Sequence, residues 1–254
     1  MRTLLRDRLY LSTIAEDAAE MAVKYGLGLE VADFCTASNL DDGFPRWDEA
    51  VRKKTRGVER LILHAPFNEL FTAAIDPLVL EVTHRRYAQA VQVARQYDIK
   101  KLVFHSTFVP QIYFPEWFIP RSVEFWKKFL RDLPQDICCC MENVMDTQPE
   151  PLLDVVKNVD DPRLRLCLDI GHIHVAPSQQ PVEAWIQSMG PWISHAHIHN
   201  NHGQQDTHNA LWDGSIAMES VLNCLMEKAP EATVTIETIR SQPSIQWLSE
   251  RGFL

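Results

Sequence analysis

No stretch of this chain approaches the ~18 consecutive apolar residues that a membrane-spanning helix requires. The first twenty residues, MRTLLRDRLYLSTIAEDAAE, carry charges where a secretory leader needs its apolar segment, so a cytoplasmic location with no membrane partner is expected. Cysteines at metal-knuckle spacing are missing too. Cys35, Cys138, Cys139, Cys140, Cys167 and Cys224 include three in a row inside an apolar run. They alternate faces there and read as small buried hydrophobes in a reducing compartment. Positive charge is in short supply: 25 Lys and Arg stand against 34 Asp and Glu, a formal net charge of -9. That balance argues against a protein built to coat nucleic acid, whose phosphates need cations. Gly/Ser linkers, low-complexity tracts and composition breaks are also absent, so residues 1–254 read as one domain.

What the chain does have is one repeated pattern. Short apolar or β-branched runs at 9–12, 27–32, 60–64, 102–105, 137–141, 165–169, 193–199 and 233–237 each precede a helix-like segment. Those segments fall at 17–25, 47–56, 77–96, 121–132, 150–157, 181–189, 217–228 and 241–250. Strict alternation of strand and helix implies parallel strands with right-handed crossovers, and eight units close into an α/β (β/α)8 TIM barrel. The longest stretch without a helical pattern is 105–120, which ends FVPQIYFPEWFIP. It is expected to lie over the barrel mouth as a lid or substrate wall, or to form a contact in a homo-oligomer.

Histidine is concentrated. Ser194 to His208 reads SHAHIHNNHGQQDTH and holds half of the ten histidines together with Asp206. Neutral imidazole gathered beside carboxylates is the usual dress of a divalent-metal site. The expected strands end alike: LILHAPF in His64, LVFHS in His105, CCMENV in Glu142 and Asn143, LCLDIGHIH in Asp169 then His172 and His174, the seventh in His197 and His199, VTIETI in Glu237. In an α/β barrel all of these meet at the C-terminal mouth, where catalytic residues are supplied by several strands at once. Mixed imidazole and carboxylate ligation suits zinc, manganese or iron better than magnesium or calcium.

The ordered series HAPF, VFHS, EN, CLDIGH, HIHNN, DTH and IET resembles the xylose isomerase-like barrel superfamily. Within it the resemblance is to the family 2 AP endonucleases of the endonuclease IV type, alongside sugar phosphate isomerases and epimerases. The resemblance implies up to three metal ions, zinc foremost. His64, His105 and Glu142 would hold one; Glu142, Asp169, His197 and Glu237 a second; His172, Asp206 and His208 a third. It implies phosphoester hydrolysis, on a small sugar phosphate or abasic nucleic acid, with Glu142 and Glu237 at the catalytic centre. The alternative is a sugar or sugar-phosphate isomerase or epimerase, in which a single metal assists enediolate proton transfer and Glu142 and Glu237 move the proton. The acidic balance and the lack of Lys or Arg after His64 make a small sugar or sugar phosphate a better substrate than DNA.

Other polar residues carry plainer expectations. Asn143, His174, His199 and Asn200 are candidates to touch substrate or support ligands, with turn or surface roles as the alternatives for Asn143, Asn200 and His174. His195 reads as a packed interior histidine, His199 and His202 as rim residues, and Glu30 as a surface or ligand-supporting carboxylate. His84, next to Arg85 and Arg86, reads as part of a solvated helix face. Trp117, Phe118 and Trp126 read as core or oligomer contact rather than a sugar platform.

Overall fold

The computed structural model describes residues 5–178 and 180–254. Among them, eight parallel strands pair in chain order: β1 (Leu9–Ser12), β2 (Gly28–Val31), β3 (Leu61–His64), β4 (Lys101–His105), β5 (Cys138–Glu142), β6 (Leu164–Asp169), β7 (Ile193–Ile198) and β8 (Thr233–Ile236). β8 pairs with β1, and the sheet closes into a TIM barrel without a free edge. The helices are α1 (Ala18–Tyr25), α2 (Phe44–Lys54), α3 (Pro77–Gln96), α4 (Pro115–Arg131), α5 (Glu150–Val159), α6 (Ile170–Val175), α7 (Val182–Met189), α8 (Met218–Lys228) and α9 (Ser241–Glu250).

The two faces of the strands serve two cores. Side chains pointing inward include a small packed layer of Tyr10, Ile62, Val103, Cys140 and Cys167. Those pointing outward, such as Leu29, Leu63, Phe104, Met141 and Leu168, join one continuous core with the helices. That is why the strands read as near-continuous apolar runs rather than alternating ones. Cys139, Cys140 and Cys167 are buried, Cys35, Cys138 and Cys224 are half-buried, and all are free. No helix of the described residues is long and apolar enough to cross a membrane.

Two expectations are corrected here. The stretch 105–120 is not helix-free, because α4 starts at Pro115 and runs through Pro120. Pro120 lacks an N–H to continue the ladder, yet Phe118, Ser122, Phe125, Trp126 and Phe129 form a buried stripe that keeps the helix on the barrel. Phe118 and Trp126 are core, whereas Trp117 is exposed. The second correction is α6, a short helix directly after β6 that the sequence pattern does not announce. It starts because the Asp169 carboxylate accepts from His172 N at 2.6 Å, an N-cap built from a site residue.

Candidate metal centre

The barrel brings all nine residues of the expected ligand set to its C-terminal mouth, in three groups, two of which share Glu142. His64 ends β3, His105 ends β4 and Glu142 ends β5. His64 Nε2 lies 3.3 Å from Glu142 Oε2, and His105 Nε2 lies 3.6 Å from the same oxygen. In the second group three carboxylates converge on one imidazole nitrogen. His197 Nδ1 is 3.1 Å from Glu142 Oε1, 3.2 Å from Glu237 Oε2 and 3.7 Å from Asp169 Oδ2. The third group joins His172, Asp206 and His208 with His199. Asp206 Oδ2 lies 3.2 Å from His172 Nε2 and 2.9 Å from His208 Nε2.

The orientation of the imidazoles shows what these groups suit. His64 Nδ1 donates to Ala65 O (3.0 Å), His172 Nδ1 to Asn143 O (2.9 Å) and His208 Nδ1 to Glu237 O (2.7 Å), since a carbonyl can only accept. His197 Nε2 is held by Glu30 Oε1 at 3.0 Å. Each ring thus turns its other nitrogen towards a carboxylate oxygen. Lone pair facing lone pair is attractive only with a proton or a cation between them. Glu142 Oε2 and Asp169 Oδ2 are, moreover, buried without any hydrogen-bond partner. The buried His, Asp and Glu clusters have the donor set of a divalent-metal site, and these residues fit one.

The charge balance is equally tight. Burial opposes ionisation of Glu142, yet the imidazoles of His197, His105 and His64 hold its carboxyl well below the usual range. Burial likewise opposes a proton on His197, and the surrounding anionic groups, Glu30, Glu237 and Glu142 among them, hold that ring well above its ordinary value. Burial works against ionised Asp206 as well, but hydrogen bonds from His172 and His208 keep it low. His208 rises to about 9 against the cost of burial, held by Asp206 and Glu237. His105 goes the other way: burial drives it down to about 3 despite Glu142.

His199 corrects a further expectation. It is fully buried rather than at the rim; its Nε2 lies 3.2 Å from Asp169 Oδ1, and its ring stacks on His208 at 4.1 Å. Only Gly fits beneath it, because a Cβ at Gly171 would come within 1.9 Å of the His199 ring. Glu30 is no surface carboxylate either, being 1% exposed at the foot of the site. Asn143 clamps β5 to β6, donating to Asp169 O and accepting from Asp169 N, both at 2.9 Å. Asn200 holds a loop, bonding Leu211 O and Ile216 N, and His174 bonds Ser215 outside the donor groups. His195 is fully buried, as expected, and His202 is exposed. His84 is half-buried against Phe129 rather than solvated. Asp146 went unseen in the sequence: it is buried behind Ser106, whose hydroxyl donates to it at 2.7 Å.

A cavity of about 250 Å³ adjoins His105, walled by Phe67, Phe71, Phe108 and Met145. Phe67 stacks on the His105 ring with centroids 4.1 Å apart. Two larger cavities, about 710 and 570 Å³, lie against α3 and α4 and are lined by no residue of the donor groups. Chemistry, not size, locates this site.

The chain belongs to the xylose isomerase-like TIM barrel family, whose model matches residues 16–254. It is 27% identical to protein MJ1311 of Methanocaldococcus jannaschii over 191 residues, 70% of this chain. The match spans 64% of that relative, just under two thirds of its length. Among solved structures, the TTHB071 protein from Thermus thermophilus, soaked with ZnCl2, superposes with a TM-score of 0.77 at 24% identity, covering 96% of this chain and 97% of that one. A D-tagatose 3-epimerase-like protein gives 0.75 at 22% identity, with 96% of each chain covered. Endonuclease IV from Thermus thermophilus gives 0.65 at 20% identity, with 97% of each covered. At these identities the structures share the fold.

Proposed function

We propose that this protein is a divalent-metal-dependent sugar or sugar-phosphate isomerase or epimerase, with Glu142, Asp169, His197 and Glu237 as the principal ligands. The observation that carries this reading is the meeting of three carboxylates on His197 Nδ1. A divalent ion held there, zinc first and manganese or iron as alternatives, supplies the positive charge that polarises a substrate carbonyl and acidifies the adjacent C–H bond. Glu142 and Glu237 leave β5 and β8, three strands apart around the barrel. In this reading one carboxylate takes the proton from the carbon beside the carbonyl. The other, starting as its acid, delivers its own proton to the opposite face of that carbon, which inverts its configuration and leaves the two groups with exchanged protonation; or the first group gives its proton to the neighbouring carbon while a hydroxyl proton passes between the two oxygens, which isomerises the sugar. Phe67, Phe108 and Met145 give the adjoining cavity an apolar side. Its modest volume suits a small substrate, and an epimerase-like protein shares the fold.

A second reading is carried by one specific observation, the additional group of His172, His199, Asp206 and His208. Enediolate proton transfer has no evident need of it, whereas phosphoester hydrolysis at a centre of up to three ions does. Small sugar phosphates remain the favoured substrates over DNA, given the net charge of -9.

Metal analysis of protein purified without chelator, followed by solvent-deuterium exchange into a panel of ketoses and ketose phosphates, tests the first reading. About one tightly held ion per chain and exchange into at least one sugar are expected. Three ions, no exchange, and release of inorganic phosphate or incision of abasic DNA would transfer the assignment to the second. Glu142→Gln should lower either activity by about a hundredfold or more, because the shared carboxylate loses its charge. Wild-type turnover by that variant would remove Glu142 from the site.

A further inference from the structure

Beneath the donor groups the barrel interior carries a buried polar column where branched apolar side chains ordinarily dominate. At its centre Glu30, on β2, takes three hydrogen bonds. Its Oε1 accepts from His197 Nε2 at 3.0 Å, and its Oε2 accepts from His195 Nε2 at 2.9 Å and from Thr235 Oγ1 at 2.5 Å.

The direction of the column is set at Glu30, and its far end is anchored by Lys101. Lys101 Nζ, at the start of β4, can only donate, and it donates to Thr233 Oγ1 at 2.8 Å and Ser194 O at 2.7 Å. The Thr233 hydroxyl, accepting from Lys101, lies 2.6 Å from His195 Nδ1 and 3.3 Å from Ser194 O. His195 Nε2 carries a hydrogen and gives it to Glu30, whose carboxylate can only accept. Glu30, an acceptor on both oxygens, leaves His197 Nε2 only the donor role. His197 Nδ1 is then the nitrogen turned to Glu142, Asp169 and Glu237.

The geometry points to Glu30 as a positioning residue that fixes the ring orientation and hydrogen placement of His197, and so presents Nδ1 to the three carboxylates above it. A metal-bound histidine commonly hands its other N–H to a carboxylate, and loss of that partner weakens metal binding. The consequence for affinity rests on the metal reading of the site; the hydrogen placement does not.

The test uses the full chain, stripped with chelator and reloaded with Zn2+ alone, as wild type and as Glu30→Gln. Nitrogen-15 spectra of the histidine rings should show His197 with its hydrogen on Nε2 in the zinc-loaded wild type. The amide introduced by the substitution both donates and accepts, so the constraint is released. In the metal-free variant His197 Nε2 should lose its hydrogen in part of the molecules, and Zn2+ affinity should fall roughly 10- to 100-fold. Thr235→Val removes a support of Glu30 and the 3.0 Å contact of Thr235 Oγ1 with His195 Nε2, but leaves both histidine bonds to Glu30 in place, and should hold affinity within about threefold. Unchanged affinity and an unchanged tautomer in folded Glu30→Gln would overturn the assignment. So would a hydrogen on Nδ1 with a bare Nε2 in wild type, which decides the matter even if the variant fails to fold. Should wild type bind no Zn2+, the metal reading fails, while Nε2 of His197 in metal-free wild type still decides the role of Glu30: a hydrogen there, whether or not Nδ1 carries one too, upholds it, and a bare Nε2 overturns it.

Discussion

Burial sets the state of Asp146, where histidines set that of Glu142. Both carboxylates are 1% exposed. Burial pushes Asp146 up to about 7, because its two hydrogen bonds, from Ser106 Oγ at 2.7 Å and Val144 N at 3.0 Å, fall on one oxygen and leave the other unpartnered. A carboxyl whose pKa is higher folded than unfolded binds more protons when folded, so its contribution to stability is lost as pH rises from about 4 to about 7. Asp146→Asn keeps an oxygen for both donors and carries no charge. Relative to wild type it should gain on the order of 2 kcal/mol between pH 5 and pH 8, read from denaturant unfolding at the two values. Parallel pH profiles for the two proteins would mean that Asp146 is not the titrating group. Glu142 is legible in the run CCMENV because it closes a strand-like segment; Asp146 stands four residues on in a loop that no periodicity describes.

At the scale of single elements, α6 shows how secondary structure and site are one construction. Asp169 ends β6, caps α6 and enters the second donor group, so β6 passes into helix with no loop between. His172 follows one turn later, and the absent side chain of Gly171 makes room for the His199 ring. Gly171→Ala should therefore cost about 2 kcal/mol in denaturant unfolding, as overpacking of a rigid core does. It should also disturb the group formed by His172, His199, Asp206 and His208. Stability within about 0.5 kcal/mol of wild type would show that His199 can yield. The helix pattern of 241–250 and of 77–96 is visible in advance, since Asp76 and Pro77 announce a start and the apolar stripe does the rest. The start of α4 is hidden, because Pro115 and Pro120 look like breakers until the stripe from Phe118 to Phe129 is seen packed on the barrel.

For the molecule as a whole, closure of the sheet confines acidic and imidazole groups at one end of the barrel without room to separate. A bound cation relieves that confinement and the unfolded chain offers no equivalent, so metal binding should add to stability by mass action. Chelator treatment should lower the midpoint of thermal unfolding by several degrees at neutral pH, corresponding to about 3 kcal/mol for an ion present at a hundred times its dissociation constant. Readdition of Zn2+ should restore it. An identical midpoint with and without chelator would count against tight metal binding at the mouth.

The alternation of eight strands with helices is written in the chain, as are the His, Asp or Glu residues at the ends of the strands from β3 to β8. Those follow from local chemistry: apolar runs of strand length and polar residues where the runs stop. The resemblance it carried to a known family named the same donors. Closure of the barrel settles which donors share an oxygen or a nitrogen, that His199 lies with His172, Asp206 and His208, and that Glu30 bonds His197 from below. Those contacts join residues up to 167 positions apart. They exist because a closed parallel sheet turns neighbouring strand ends toward one axis, a constraint that no window of sequence contains.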